Sequence, residues 1–491
     1  MRRENILFKS LLFAGILACL FIWCLHCKFL ALDEGVWDYI GQLWAHGVAP
    51  YTAAVENKLP GICYLYLFSN LLFGTTPYFV RVLAVISVTA ALVPLRAMAR
   101  DLGGEKAANA VSFAYVLIAC TEMTAPWEIV STESFIILFE ALAFMVYFRA
   151  RRTSPAHAFA AGCLCGVAVM FKQVAVLGFF ALLSAPVLWH GINRRAAKDM
   201  ALMFCGCAAT GILLSLPVLM CGTTVAQYYD AVVALPFSTS SRFAGHFTLS
   251  IPWDRWLPFA PIFVCCVIFA CRRPRIVLPF LLWLAADFAG VNATGHYYLY
   301  EFRLLAASLA LCSGVGFASL FPDTEERNYA GKILAASFVL LAAACSGAAT
   351  ASFNSETKTN YTNRSASHIR MIAEEIRSMT AQNDRIFVYS SDGHCIYSYA
   401  GRLPAARLFC ACLVPGREGE VLADLSAHPP AVIAVKESVP WLEAYLKNRK
   451  YEFVKSLYGV SLFRRPGAAR IAAFSDGGAA GTAKNFALPL S

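Results

Sequence analysis

Charge is what this chain has least of. Of its 491 residues, 15% are charged and 58% are hydrophobic, where soluble domains carry about 25% charged residues. The shortage excludes an ordinary soluble enzyme and points to a polytopic membrane protein. The formal charge of +10 is no nucleic-acid footprint. The basic residues sit in short loops between apolar runs, where they set topology. No CxxC pair carries His or acid neighbours at zinc spacing. Most of the 18 cysteines lie inside apolar runs, where Cys behaves as a small hydrophobe, and "CAC" at 410–412 is a weak metal or redox signal. No clean small-x-small cleavage site follows "ILFKSLLFAGILACLFIWCLHCKFLAL", which reads as a retained first helix. No internal repeat is visible, which argues against many transporter architectures.

The positive-inside rule then orders the loops. "MRRENILFK", "RAMARDLGGEK", "RARR" (149–152), "NRRAAK", "CRRPR" and "PDTEERNYAGK" fall in the cytoplasm. The alternate loops fall outside. They hold Asp33, Glu34, Glu56 and Lys58, then Glu122, Glu128 and Glu133, then Lys172, then 228–247, then Asn292 to Tyr298. Parity requires an odd number of crossings between Lys58 and "ARDLGGEK". The run 61–73 is short of the ~20 residues a spanning helix needs. It is therefore expected to be a re-entrant or interfacial helix, with about eleven crossings in all.

This gives a transmembrane part at 1–351 with its first outer loop at 32–60. A small α/β domain outside the membrane follows at 352–466, and a disordered tail at 467–491. In the α/β domain "SASHIRMIAEEIRSMT" has an amphipathic helix pattern, and "RIFVYS" and "AVIAVK" read as buried strands. "VPWLEAYLKNR" reads as a helix and "YEFVKSLYGVSLFRR" as a hairpin or strand pair.

The outer face gathers the polar residues that need a reason. These are the adjacent acids Asp33 and Glu34, Glu56 with Lys58 before a Pro60-Gly61 break, Glu133 at the mouth of one apolar run, and Lys172 at the end of another. His296, Tyr297, Tyr298 and Arg303 follow in "HYYLYEFRL". Each has an ordinary reading: solvated loop acids, snorkelling lysines, a helix N-terminal carboxylate, an aromatic belt. Lys172 fits least well, since outer loops disfavour positive charge. Taken together, carboxylates and lysines converge on one membrane face. Lysines there can hold a phosphate, and a carboxylate can act as general base on a hydroxyl. Those are the needs of a transferase whose leaving group is a polyprenyl phosphate.

The stretch "LDEGVWDYIGQLWAHGVAPYTAAVENKLPGICYLYLFSNLLFG" (32–74) resembles the GT-C fold membrane glycosyltransferases. The nearest branch is bacterial glycosyltransferase family 39, the protein O-mannosyltransferases and aminoarabinose transferases of lipid A. The matching features are Asp33-Glu34-Gly35, then Gly47-Val48-Ala49-Pro50-Tyr51, then Asn57-Lys58-Leu59-Pro60-Gly61, with Leu59 in place of the family's first proline. "GHYYLYEFRLLA" (295–306) continues the likeness without the family's later proline.

The resemblance implies that Asp33 is the catalytic carboxylate, with Glu34 orienting it or facing the loop. Lys58 and Lys172 would contact the lipid phosphate, with His296, Tyr297 and Arg303 beside them. Glu56 and Glu133 would bind acceptor, sugar or a divalent cation, the last left open as a cofactor. The implied partners are a polyprenyl-phosphate sugar donor, a glycan, lipid or protein acceptor and membrane lipid, with no nucleic acid. The implied reaction is transfer of a monosaccharide onto an envelope glycan or lipid, with Ser or Thr of a secreted protein as the alternative acceptor, and a glycan ligase, polymerase or flippase as the alternative class. The implied location is a bacterial inner membrane, N-terminus cytoplasmic and C-terminal domain periplasmic.

Overall fold

A computed structural model of the chain describes Gly15 and residues 29–120, 130–150, 155–238, 260–272, 274–295, 297–320, 363–391 and 393–467. The first helix, the crossing near 331–351, Glu122, Glu128, His296 and the tail beyond 467 lie outside the described residues. The chain divides into two compact units, each assembled from discontinuous stretches.

One unit joins Cys27–Val80, Leu216–Thr239 and Thr359–Ser491. Helix α1 (Leu32–Ala45) opens it. Asp33 and Glu34 occupy its first turn, where negative charge offsets the unpaired amides of a helix start. Ala31 offers no side-chain cap. The Glu34 carboxylate turns back instead and accepts the Ala31 N–H at 2.7 Å. A loop then leads to α2 (Gly61–Phe73), thirteen residues and so about 20 Å long. That is short of the ~30 Å hydrocarbon core. Gly41 makes the α1–α2 crossing possible, because a Cβ there would meet the Tyr66 backbone at 2.6 Å.

The other unit joins Met1–His26, Arg81–Ser215 and Ser240–Lys358. Its described helices are α3 (Tyr78–Ala90, shared with the first unit at its start), α4 (Leu92–Cys120), α5 (Thr132–Ala150), α6 (Pro155–Val169), α7 (Ala175–His190) and α8 (Arg194–Met220, shared at its end). Four described stretches are long and apolar enough to cross a membrane: Tyr78–Ala119, Arg194–Met220, Ile276–Ala293 and Leu299–Ala318. α8 presents Phe204, Ile212, Leu213 and Met220 outward, the pattern of a helix facing lipid tails rather than water.

A short helix, α9 (Val225–Tyr229), starts from a Thr224–Gln227 capping box and runs into a π-turn at Asp230–Ala234, both in the first unit. Back in the membrane unit come α10 (Ala260–Arg272), α11 (Pro274–Thr294), a 3₁₀ turn (Leu299–Leu305) and α12 (Ala306–Ala318). α12 is buried along nearly its whole length. It lies so close to α4 that a Cβ on Gly314 would meet the Val111 backbone at 2.5 Å.

The C-terminal part of the first unit is an α/β domain. It runs α13 (Asn363–Met379), β1 (Arg385–Tyr389), α14 (Cys395–Ala400), β2 (Leu403–Pro404), α15 (Glu418–Ala427), β3 (Val432–Val435), α16 (Pro440–Asn448), β4 (Glu452–Leu457) and β5 (Val460–Arg464). The sheet order is β2-β1-β3-β5-β4. β1 is parallel to both neighbours, with Phe387 opposite Ile433, while β4 and β5 form an antiparallel hairpin on β3. The expected strands, hairpin and helices at 363–379 and 440–448 are all present.

This domain grips the first loop. Ser398 donates to the Gly35 carbonyl at 2.7 Å, the Leu30 N–H donates to the Tyr399 hydroxyl at 3.0 Å, and Tyr39 donates to the Arg402 carbonyl at 2.7 Å. Any Cβ on Gly35 would run into the Cys395 side chain and backbone. Loop 32–60 and the C-terminal domain are therefore packed together within one unit.

Candidate functional site

The sequence-selected residues fall into two clusters, one in each unit. In the loop unit, Asp33 is partly exposed on the first turn of α1, while Glu34 is 3% exposed and holds the helix start. The two acids are thus not equivalent. Glu34 bonds the backbone at the helix start, while Asp33 is the more exposed acid of the same first turn.

One turn further, Asp38 is completely buried. It accepts from Gln42 Nε2 at 2.7 Å and Asn70 Nδ2 at 2.9 Å, and Gln42 also reaches the Ser398 carbonyl at 3.1 Å. Burial pushes the Asp38 carboxyl up to about 7, against the pull of its Asn70 and Gln42 hydrogen bonds. Asp38 was not singled out from the sequence. Its signal was present, since it lies four residues after Glu34 and so on the same helical face.

Lys58 and Glu56 close the loop. The ammonium lies 3.2 Å from Glu56 Oε1 and also donates to the Asn57 side chain. The side chains are 22% and 11% exposed. Tyr51 fixes this turn. It is fully buried at a φ of 65°, and its hydroxyl donates to the Lys58 carbonyl at 2.8 Å. A left-handed tyrosine is costly, and burial together with this bond holds it there.

In the membrane unit, Lys172 sits in the turn between α6 and α7. Its ammonium lies 2.6 Å from Glu133 Oε1 and 3.2 Å from Glu301 Oε1. All three side chains are under 10% exposed. Arg303 is wholly buried beside them and donates to Ser131 Oγ at 2.9 Å and Ser134 Oγ at 2.7 Å. Two cations thus face two carboxylates. Glu301 was passed over although it lies two residues from Arg303. Tyr297 takes a φ of 55° and donates to Asn292 Oδ1 at 3.1 Å.

The same face of α5 carries Glu140 and Tyr147 at seven-residue steps from Glu133, each about 10 Å deeper than the last. Glu140 accepts from Trp283 Nε1 at 2.9 Å, and Tyr147 donates to Asp199 Oδ2 at 3.0 Å. Asp287, equally buried, accepts from Ser308. None of these was expected, because each lies inside a run read only for its hydropathy.

Among the described residues no group of three or more His, Cys, Asp or Glu side chains is placed to hold a metal. Glu133 is bonded to the Lys172 ammonium and Glu56 to that of Lys58, so the donor set as arranged does not fit a divalent cation. Cys410 and Cys412 are both free thiols.

No protein-family model and no curated protein sequence matches the chain. Solved structures do. ArnT from Cupriavidus metallidurans bound to undecaprenyl phosphate superposes with a TM-score of 0.60 at 14% identity, covering 93% of this chain and 97% of that one. The Archaeoglobus fulgidus oligosaccharyltransferase tethered to an acceptor peptide gives 0.56 at 14% identity, over 87% of this chain and 69% of that one. The archaeal oligosaccharyltransferase AglB from the same organism, in complex with an inhibitory peptide and a dolichol-phosphate, gives 0.55 at 11% identity, over 87% and 70%. The chain is a polytopic α-helical membrane protein of the GT-C fold, carrying a small α/β domain toward its C-terminus.

Proposed function

We propose that the chain is a family 39-type membrane glycosyltransferase. It moves a monosaccharide from a polyprenyl-phosphate donor to an envelope glycan or lipid, on the periplasmic face of a bacterial inner membrane. The observation that carries this reading is the division of labour in the acidic pair. Glu34 is committed to the helix start, which leaves Asp33 as the partly exposed acid of a loop that ends in Lys58. The solved relatives that hold undecaprenyl phosphate and dolichol-phosphate share this fold and support the donor class.

In this mechanism the Asp33 carboxylate takes the proton of an acceptor hydroxyl. The oxygen attacks the anomeric carbon, the bond from that carbon to the phosphate oxygen breaks, and the sugar inverts. Polyprenyl phosphate leaves with its charge stabilised by cationic side chains. Lys58 supplies that charge from the loop; Lys172 and Arg303 are the cations that the membrane unit itself holds. Glu56 holds the Lys58 ammonium at 3.2 Å, while Glu133 and Glu301 keep Lys172 charged until a phosphate competes for it. His296 and Tyr297 belong to the same donor-binding set. No step requires a metal.

The test is mass spectrometry of envelope glycans and lipids. A deletion strain is compared after complementation with wild type, with Asp33→Ala and with empty vector. One glycan or lipid should lose a single sugar mass in the deletion and in Asp33→Ala alike. A loss confined to secreted proteins would make Ser or Thr the acceptor. Full restoration by Asp33→Ala at normal abundance would defeat the reading.

A further inference from the structure

The segment around Asp230 lies far in sequence from every residue given a role above, yet contacts from it and from its partner Arg407 reach the 50–55 part of the turn that ends in Lys58. Asp230 opens the π-turn that follows α9, and such turns cost helix geometry and are common at functional sites. Its carboxylate receives Arg407 Nη2 at 2.6 Å and Arg417 Nη2 at 3.4 Å, both from the α/β domain. Arg407 is itself held, its N–H donating to Asp424 Oδ2 at 2.9 Å. The Arg407 carbonyl accepts the Val55 N–H at 3.0 Å, and Val55 is the residue before Glu56.

The same segment touches the turn twice more. Thr223 donates to the Pro50 carbonyl at 2.7 Å, and Tyr228 packs edge-on against Tyr51 at 5.6 Å between ring centres. Tyr51 in turn holds the Lys58 carbonyl. The left-handed Tyr51 is thus clasped from one side by Tyr228 and tied on the other to Lys58.

We propose that Asp230 is a positioning residue: through Arg407 it clamps the α9 segment and the 50–58 turn together, and so sets where Lys58 presents its charge to a lipid phosphate. The last part rests on the donor assignment made above. The clamp itself rests only on the bonds. The Asp230 and Arg407 side chains are each about a quarter exposed, so the pair is weak enough to be adjusted without unfolding the domain.

The test uses the full chain in detergent micelles, with hydrogen exchange read by mass spectrometry and undecaprenyl phosphate as the binding probe. Asp230→Asn should speed exchange in peptides covering 51–58 and leave those covering β1 and α1 unchanged. It should weaken undecaprenyl phosphate about 2- to 5-fold, the range expected for a partly exposed pair. Asp230→Glu should restore both. Unchanged exchange at 51–58, or faster exchange throughout the domain, overturns the clamp whatever the lipid does. Faster exchange with unaltered lipid binding, in a protein whose Lys58→Ala variant has lost it, overturns the positioning of Lys58. If wild type itself ignores undecaprenyl phosphate, the donor assignment fails separately, and exchange alone decides the clamp.

Discussion

Lys58 and Lys172 were selected from the sequence for the same reason, and the structure gives them different surroundings. Lys172 is 9% exposed between two buried carboxylates, whereas Lys58 is 22% exposed beside one carboxylate that also meets solvent. A charge deep in the bundle is held only if it is compensated there, because the low dielectric makes any uncompensated partner expensive. A charge on the loop can lose its partner to water. The first arrangement fixes structure as much as it offers a ligand contact. The second is the one a ligand can reach at small cost.

The comparison breaks most visibly at Lys172. Lys172→Met leaves Glu133 and Glu301 buried without their ammonium, and removing one member of a buried pair costs about 3–5 kcal/mol. The melting temperature in detergent should fall steeply, and the double variant Lys172→Met/Glu133→Gln should recover part of it. A Lys172→Met protein as stable as wild type would mean that the membrane cluster is no more coupled than the loop.

Next in size is Gly35→Val. The added side chain has no room beside Cys395, and overpacking of this kind costs about 1–3 kcal/mol. Since Gly35 joins α1 to the α/β domain, the loss should appear as faster proteolysis between 45 and 60 as well as a lower melting temperature. Cys395→Ala should relieve only part of it, because the Cys395 backbone is also in the way.

Asp38 supplies the pH signature that sharpens the contrast from the loop side. Its carboxyl is held up to about 7 by burial, against an ordinary value of 3.8. In that window the folded chain keeps a proton that the unfolded chain releases. Stability is therefore fully present below about 4, falls as pH rises toward 7, and flattens above it. Asp38→Asn should remove that slope, read as melting temperature against pH. An unchanged slope would place the titrating group elsewhere.

What the sequence disclosed follows from which physical signals are local. Hydropathy runs, basic loops and the short apolar run at 61–73 are local, and so were the buried apolar strands of 385–389 and 432–435. The motif residues of the first loop were chosen on the same local grounds. The partners were not. Glu301 meets Lys172 across 129 residues and Arg303 meets Ser131 across 172, and no periodicity reports such a pairing. Glu140, Asp287 and Asp38 were hidden differently. A carboxyl inside an apolar segment reads as an interruption until Trp283, Ser308 or Asn70 is seen donating to it. The grip of α14 on α1 was invisible as well, because α14 is six residues long and contact at that length is fixed by its neighbours rather than by propensity.

The smallest expected effect on stability is the most telling for function. Lys58→Met removes one partly exposed ion pair, worth about 0–1 kcal/mol, so the melting temperature should scarcely move. Glu56 keeps access to water, and the turn is held through the Lys58 carbonyl rather than its side chain. Yet if Lys58 supplies charge to a departing phosphate, transfer should fall by orders of magnitude more than stability does, since an electrostatic contact made at the transition state is worth about 2.7–4 kcal/mol. Sugar transfer in membranes and melting temperature, measured on one preparation, give the two readings side by side. Lost transfer at unchanged stability would assign Lys58 to the reaction. Retained transfer would return it to the ordinary class of lysines that border a membrane, and would leave Lys172 and Arg303 to carry the phosphate alone.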